Sequence, residues 1–406
     1  MKLPANNSIA KTLIFFIVFW NLNISSEELS DAESFFSREA PAYPTADKLL
    51  GWIDSRNITS LNGEWTYIID PMSNGLPESS FFGGFPKNKT QKTGMELIEY
   101  NFEDAEKIQI PGAWNAQDEK LLFYRGPVWL FKKFNHSSKQ NVLTHLYIEG
   151  SNFTTKVFVN GSVVGEFEGG YVPFNFDISK FLVDGENILL IQTDNTLNES
   201  TVPTHKTDWW PWGGIVGDVY LVETPNDYIR NAYLQLNPDD FSQAVFKLQM
   251  ATKSSRQKVI LEIPELNYKE EFETDSSGFI QENIIITPEL WSPSNPKLYK
   301  VIISSQNESI SDEIGFRSIK TKGQKIYLNN NEIKFKGIAM HSEPIGAPGP
   351  AFSKEHFEKL LATATDLNIN FIRAAHYPYT RHLAKVADQI GLMVWEEIPV
   401  YWNIDW

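Results

Sequence analysis

The stretch that decides the fold is residues 370–395, which read NFIRAAHYPYTRHLAKVADQIGLMVW. It opens with an apolar run at 371–375 and closes with a second one at 393–395. Between them, Gly391 follows a set of apolar residues at helical spacing, namely Leu383, Val386, Ala387 and Ile390. Glycine after such a stripe is typical of a helix C-terminus. The pattern predicts a strand–helix–strand unit with parallel strands.

A similar unit comes just before it in the chain. Residues 333–340 lean apolar and are predicted to form a strand, and Ser353 is placed to cap a helix. The helix is indicated by apolar residues at helical spacing, Phe357, Leu360, Leu361, Ala364 and Leu367. Together the two units predict a parallel sheet that begins at about residue 321. The stretch 321–406 is much shorter than the about 250 residues of a (β/α)8 barrel, so we expect only its first part.

Polar side chains follow each of the three predicted strands. Barrel enzymes carry their functional groups at the carboxyl ends of strands. A single histidine or glutamate at such an end is more often solvated or a cap, but three successive strands with the same feature favour a functional site. The residues concerned are His341 and Glu343, then Arg373 and His376, then Glu396 and Glu397.

Upstream, the sequence alternates between apolar and polar residues in short runs. Between 45 and 222 such runs occur at 146–150, 156–161 and 187–191, and Asn160-Gly161 is a strong hairpin signal. This predicts a jelly-roll sandwich. A second β-rich stretch, 223–320, has the length of an immunoglobulin-like sandwich. The predicted fold class is thus multidomain: two β-domains followed by part of a barrel at 321–406.

The composition of the 406 residues excludes several classes of protein. A net charge of −15 without basic clusters argues against a nucleic-acid partner. The absence of cysteine excludes disulfides, cysteine-bound zinc and thiol nucleophiles, and the seven histidines lack His-Glu-x-x-His spacing. The aromatic content of 13% suits a sandwich core or a sugar-binding cleft equally.

The N-terminus predicts an export signal at residues 1–26. Lys2 and Lys11 precede an apolar run at 13–20, which is shorter than the roughly 20 residues of a membrane span. We therefore expect a secreted or periplasmic protein with no stable membrane span. Glycosylation sequons do not decide its source; they include those at Asn57, Asn88, Asn152, Asn160 and Asn307.

The run 370–378, followed by Asp388 and 391–395, resembles the first signature of glycoside hydrolase family 2. That family contains β-galactosidases, β-glucuronidases and β-mannosidases. Other stretches resemble further parts of the family in the family's order: 60–65, 111–114, 207–210 with 213–215, and 336–341. The resemblance implies a jelly-roll sugar-binding domain, an immunoglobulin-like domain and a TIM barrel.

The resemblance also implies roles in the subsite for the terminal sugar. Asp208 would accept hydrogen bonds from sugar hydroxyls, and His341 and His376 would donate to them. Arg373 would keep the nucleophile ionised by its opposite charge, and Glu397 would assist from the rim. Plainer alternatives stay open: a turn residue for Asp208, ordinary polar residues for the histidines, a packed arginine with a structural carboxylate for Arg373, and a solvated strand end for 396–397.

The mechanism implied by the resemblance is double displacement by two glutamates about 5–5.5 Å apart. The acid/base would belong to an Asn-Glu pair after the fourth barrel strand, and the nucleophile would lie near the seventh. No Asn-Glu pair follows the third strand, and 198–199 and 331–332 come before the barrel or at its start. We therefore expect no catalytic residue among these 406 and place both glutamates beyond Trp406.

Two positions depart from the family pattern. Tyr401 stands where magnesium-dependent β-galactosidases carry a glutamate ligand, so we do not predict that magnesium site. No other metal and no cofactor is expected. Gly217 stands where many relatives carry arginine, which puts a local ion pair in doubt.

The expected function is that of a retaining exo-β-glycosidase acting on oligosaccharides or glycoconjugates. The β-galactosidase and β-glucuronidase types are favoured over β-mannosidase, and assembly into a homo-oligomer is compatible with the sequence. The 406-residue chain alone is expected to be inactive. The alternative is a truncated carbohydrate-binding protein without catalysis; a purely structural β-sandwich would not explain the polar strand ends.

Overall fold

The computed structural model describes residues 43–73, 75, 102, 104–251, 256–344 and 349–400. The export signal predicted at 1–26, the sequon at Asn88, and Tyr401 with Trp406 lie outside these residues. From Tyr43 onward the domains pack together as one unit.

The first domain is a β-sandwich. Its strands are β1 Asn57–Ser60, β2 Gly63–Ile69, β3 Glu106–Ile110, β4 Pro127–His136, β5 Val142–Ile148, β6 Ser151–Asn152, β7 Thr154–Val159, β8 Ser162–Glu168, β9 Phe174–Asp177, β10 Gly185–Asp194, β11 Gly214–Ile215 and β12 Val219–Pro225. Two antiparallel sheets, in the orders β1-β12-β5-β9 and β3-β2-β4-β10-β7-β8, enclose one apolar core that includes Trp65 and Trp114. The predicted hairpin is present, because Asn160 and Gly161 take positive φ angles of 49° and 77° between β7 and β8.

The second domain is the predicted immunoglobulin-like sandwich. Its strands are β13 Tyr228–Leu236, β14 Gln243–Ala251, β15 Lys258–Ile263, β16 Tyr268–Glu273, β17 Phe279–Ile285, β18 Tyr299–Ser304 and β19 Ser309–Ile314. The sheets β13-β14-β17 and β16-β15-β18-β19 face each other across a second apolar core. In β14 every second residue is buried, as a strand with one face on a core requires.

The strand predicted at 333–340 is wrong in its extent. A small antiparallel sheet, β20 Ile319–Lys322, β21 Lys325–Leu328 and β22 Asn331–Ile333, ends at Ile333, and the first barrel strand begins only at Gly337. The Asn370 side chain bonds the backbone between them, accepting from Lys336 N at 2.8 Å and donating to Lys334 O at 3.0 Å. Because these groups are satisfied by Asn370, the segment needs no strand partner.

The last described domain is the start of a barrel. It consists of β23 Gly337–Met340, α1 Lys354–Asp366, β24 Phe371–Ala374, α2 Arg381–Ile390 and β25 Met393–Glu396, and its strands are parallel in the order β23-β24-β25. Ser353 caps α1 by accepting from His356 N at 3.3 Å, and Gly391 ends α2 at φ 78°, as predicted. Neither α1 nor α2, the α-helices of the described residues, has the length and apolarity of a membrane span.

The barrel segment is fixed to both β-domains. Its apolar core, which contains Phe357 and Ile372, continues into jelly-roll loop residues such as Trp209. On the other side, Trp291 of the immunoglobulin-like domain donates from Nε1 to Asp388 O at 2.9 Å, and Arg317 pairs with the Asp388 carboxylate at 2.9 Å. Asp388 of the signature-like run therefore docks the second domain against α2.

Candidate sugar-binding site

The register of the three parallel strands sets the position of the site. Met340, Ala374 and Glu396 are aligned across β23, β24 and β25. The residues that follow them therefore emerge at one edge of the sheet, where barrel enzymes keep their functional groups. His341, His376 and Glu397 are brought together in this way.

Glu397 holds two of the other predicted residues. Its carboxylate accepts from Arg373 Nε at 2.5 Å and lies 3.3 Å from His376 Nδ1. The Glu397 side chain is only 18% exposed, whereas that of Arg373 is 39% exposed and stands over the Trp395 ring at 5.9 Å. Glu397 is thus more than a solvated strand end, and Arg373 has a carboxylate partner while its side chain stays accessible.

The two histidine rings lie edge to face, with centroids 5.3 Å apart. Trp209, from the jelly-roll domain, lies beside both, at 6.0 Å from His341 and 6.4 Å from His376. Asp208, which precedes Trp209, is exposed, and its charge acts on His341. All five residues predicted for the sugar subsite therefore belong to one neighbourhood; their roles stay predictions.

Buried aromatic side chains hold the tryptophan loop against the barrel. Trp209 packs on Tyr377 at 5.0 Å, and Tyr377 stacks on Tyr171 at 4.2 Å. Tyr171 also donates its hydroxyl to Trp212 O at 3.1 Å. Sequence patterns assign no role to these aromatic residues; the Trp209-Trp210 pair in the loop is the available signal.

The remaining carboxylates at the strand ends also have partners. Trp212 Nε1 donates to Glu343 Oε1 at 2.9 Å, which ties the jelly-roll loop to the end of β23. Glu396 Oε1 accepts from Tyr379 N at 3.0 Å, and the Tyr379 hydroxyl donates to Met340 O at 2.6 Å. Glu343, Glu396 and Glu397 therefore organise the site's framework.

The surroundings of His341 favour its neutral form. Burial is the main cause that lowers its pKa; nearby His376 and Arg373 lower the pKa further, and the charges of Glu343 and Asp208 raise it in part. Its Nδ1 is buried and has no hydrogen-bond partner among the described residues. A neutral imidazole with an unused ring nitrogen can exchange hydrogen bonds with a hydroxyl group.

We expect His341 to titrate below the ordinary histidine value of 6.5. The unfolded chain then binds more protons than the folded chain between the two pKa values, so acidification through this window weakens folding. NMR of chain labelled with ¹³C-histidine would give the pKa, with His341→Gln as the assignment control. A pKa at or above 6.5, or the same pH-dependence of stability in His341→Gln, would contradict this.

Away from the strand ends, Glu149, Asp218 and His382 place potential metal-ligand atoms within 4.8 Å of one another. A positive charge is already present there, since Arg381 pairs with Glu149 and lies 3.6 Å from Asp218. Gly217 lies against Glu149, because a Cβ on this glycine would come within 2.9 Å of Glu149 Cβ. An ion pair is thus formed beside Gly217, and Arg381 supplies its cation.

Three sequence models of one family match consecutive parts of the chain. They are "Glycosyl hydrolases family 2, sugar binding domain" at residues 58–225, "Glycosyl hydrolases family 2" at 228–317 and "Glycosyl hydrolases family 2, TIM barrel domain" at 319–402. Together with the order of the three domains and the polar strand ends, they define a multidomain barrel protein of the glycoside hydrolase class. The chain belongs to glycoside hydrolase family 2.

Relatives and solved structures agree with this assignment. The chain is 30% identical to a protein of Formosa agariphila named "Putative beta-glucuronidase", over 85% of this chain and 42% of the relative. It is 24% identical to a β-galactosidase of Thermoanaerobacter pseudethanolicus, over 86% of this chain and 47% of the relative. A β-glucuronidase structure from an uncultured Clostridium species has the same fold, with a TM-score of 0.72, 22% identity, and coverage of 87% of this chain and 61% of that one. The chain thus spans under half the length of these two sequence relatives.

Proposed function

We propose that five residues at and beside the strand ends form the terminal-sugar subsite of a retaining exo-β-glycosidase of the β-galactosidase or β-glucuronidase type. They are Asp208, His341, Arg373, His376 and Glu397. The observation that carries the proposal is the Glu397 carboxylate shared by Arg373 and His376 at the joined strand ends. With neutral His341 and exposed Asp208 alongside, the site offers hydrogen-bond donors and acceptors in fixed positions. Such an array suits the hydroxyl groups of a pyranose ring.

The two catalytic carboxylates are proposed to come from elsewhere in a complete barrel. A retaining mechanism needs one carboxylic acid to protonate the leaving oxygen and a second carboxylate to attack the anomeric carbon. Glu343, Glu396 and Glu397 are each bound to a neighbouring framework group. We therefore propose that the chain positions the sugar and that, by itself, it does not hydrolyse glycosides.

Exposed apolar surface beside β25 is expected to lower the solubility of the chain when it is expressed alone. Trp395, Ile398 and Val400 are 56%, 74% and 45% exposed. Within the described residues, β25 pairs only with β24, which leaves one edge of a parallel sheet open. Open edges and exposed apolar side chains favour aggregation. Poor solubility of the 406-residue chain is the expected consequence.

The test is hydrolysis of the p-nitrophenyl β-galactoside, β-glucuronide and β-mannoside. We expect a protein carrying this chain in a complete barrel to prefer one of the first two by at least about tenfold in kcat/KM, because buried polar groups discriminate strongly between sugars. The 406-residue chain should show no turnover with any of them. A soluble 406-residue monomer with turnover would contradict the proposal. Sugar binding without turnover in the complete barrel would favour a carbohydrate-binding protein instead.

A further inference from the structure

Three aromatic side chains form a strip on the surface of the jelly-roll domain. We call Phe123, Trp210 and Trp212 the aromatic strip. The Phe123 and Trp210 ring centroids are 5.5 Å apart at an interplanar angle of 44°, and those of Trp210 and Trp212 are 5.9 Å apart at 40°. Phe123 is 79% exposed, and both tryptophans are partly exposed. The strip thus presents a row of tilted rings to solvent.

A buried asparagine joins the two segments that carry the strip. The Asn115 side chain is 4% exposed. Its Nδ2 donates to Leu121 O at 2.8 Å and to Tyr124 O at 3.2 Å, on either side of Phe123. Its Oδ1 accepts from Gly213 N at 2.8 Å, next to Trp212. One amide group therefore fixes the segment 121–124, which carries Phe123, relative to the loop 209–213, which carries the tryptophans.

A second buried asparagine makes a parallel connection. Asn195 Oδ1 accepts from Gly126 N at 3.0 Å, and Asn195 Nδ2 donates to Pro211 O at 3.2 Å. Asn152 Nδ2 donates to Trp212 O at 2.7 Å. In Asn115 and Asn195 both the amide oxygen and the amide nitrogen have partners, and satisfied buried amides make a backbone rigid. The exposed rings are thus held in place before any ligand binds, which lowers the entropy cost of binding.

The strip is continuous with the candidate sugar site. Trp212 belongs to the strip and also donates to Glu343 at the end of β23. Trp209, in the same loop, contacts both His341 and His376. A ligand whose terminal ring lies among the polar residues of the strand ends can therefore extend along Trp212 and Trp210 towards Phe123.

We propose that the aromatic strip binds successive sugar rings of a β-linked oligosaccharide, on the leaving-group side of the terminal sugar. The C–H faces of pyranose rings pack on aromatic faces, and aromatic rings beside a few fixed polar groups are typical of ligand sites. The inference rests on the proposed function, since it places the terminal sugar at the strand ends. It assigns the substrate class: oligosaccharides with two or more sugars beyond the terminal one.

Binding to matched oligosaccharides tests the strip without requiring catalysis. The probes are disaccharides and tetrasaccharides ending in β-galactose or in β-glucuronate, titrated by calorimetry into the chain fused to a small solubility partner that binds no sugar. We expect a roughly tenfold tighter Kd for the tetrasaccharide that carries the preferred terminal sugar. The Phe123→Ala/Trp210→Ala variant should lose this preference and keep its affinity for the disaccharide within about twofold.

Three further variants distinguish the possible causes of a lost preference for the tetrasaccharide. Trp210→Phe keeps a ring and should retain most of the preference, and Tyr233→Ala removes an aromatic side chain, 49% exposed, from the second domain and should change nothing. Asp208→Asn should weaken both probes equally; if it changes neither, the role proposed for Asp208 fails while the strip inference stands. Equal affinity of the wild type for disaccharide and tetrasaccharide, a preference that survives Phe123→Ala/Trp210→Ala, or no binding of either probe would overturn the inference. If neither probe binds, hydrolysis of the nitrophenyl glycosides still tests the proposed function independently.

Discussion

Replacement of Arg381 by methionine is expected to lower the free energy of unfolding by about 3–5 kcal/mol, because it leaves buried carboxylates without their cation. Arg381 begins α2 of the barrel and reaches back into the jelly-roll domain. There it pairs with Glu149 through Nη1, and its backbone N donates to the same carboxylate at 2.9 Å. The side chains of Glu149 and Asp218 are only 2% and 8% exposed. Guanidinium unfolding followed by tryptophan fluorescence would measure the loss.

The pH-dependence of this variant has a definite sign. Burial raises the pKa of Glu149, and Arg381 opposes that rise. Without the arginine, the pKa of Glu149 rises further above its unfolded value, so the unfolded chain binds fewer protons than the folded chain. The stability contributed by protonated Glu149 is then lost as pH rises through that raised pKa. Arg381→Met should therefore be less destabilising at pH 5 than at pH 8.

Two controls distinguish loss of the cation from loss of packing. Lys385, one turn later in α2, pairs with Asp54 and Asp312, but its side chain is 35% exposed. Lys385→Met should therefore cost only about 0–1 kcal/mol. Adding Glu149→Gln to Arg381→Met should recover part of the loss, because the buried charge is then removed. Equal costs for the two methionine variants, or no recovery in the double variant, would contradict the explanation.

Most of the architecture could be predicted from local patterns in the sequence. Alternating runs predicted several strands of the first sandwich, and the length of the β-rich stretch predicted the second sandwich. Helical stripes with Ser353 and Gly391 at their ends predicted α1 and α2. The strand ends could be grouped as one site because parallel strands align their carboxyl ends. Asp208, and the individual roles of all five site residues, depended on the family resemblance, since no local pattern assigns such roles to polar residues.

The error at 333–340 has a physical cause in the sequence itself. Ile333 and Phe335 alternate with polar residues in one phase, and Ile338 and Met340 lie in the opposite phase. A change of phase reverses the face to which side chains point, so one regular strand cannot contain both pairs. The break at Lys336-Gly337 was therefore present in the pattern, although the apolar-leaning composition of the whole stretch concealed it.

Contacts between distant segments could not be predicted. Arg381 and Glu149 are separated by 232 positions in the chain. They are neither members of one motif nor neighbours on one element. The Asn115 and Asn195 side chains look like ordinary loop asparagines, and their importance comes only from the two loops that they connect. Such roles depend on tertiary structure and leave no periodic signal.

Replacement of Glu397 by glutamine is expected to lower kcat/KM about 100-fold in a protein carrying this chain in a complete barrel, the cost of losing one preorganised electrostatic group. Glutamine keeps the shape but removes the negative charge that Arg373 and His376 share. Its amide oxygen can accept from Arg373 Nε, which leaves the amide NH₂ facing His376 Nδ1. That nitrogen then has to accept a hydrogen bond, so the tautomer and orientation of the ring change.

The kinetic constants and a matched control decide how Glu397 acts. Glu358→Gln, on the outer face of α1 where Glu358 pairs with Lys354 at 3.5 Å, should leave kcat/KM unchanged. Glu397→Asp keeps the charge and should recover part of the activity, whereas a change in thermal midpoint in Glu397→Gln would indicate a structural role instead.

A fall in kcat with KM unchanged would mean that Arg373 and His376 act mainly on the transition state, and a rise in KM alone would mean that they bind the ground-state sugar. If kcat/KM for Glu397→Gln stayed within about threefold of the wild type, the shared carboxylate would not organise the site and the terminal-sugar assignment would lose its main support.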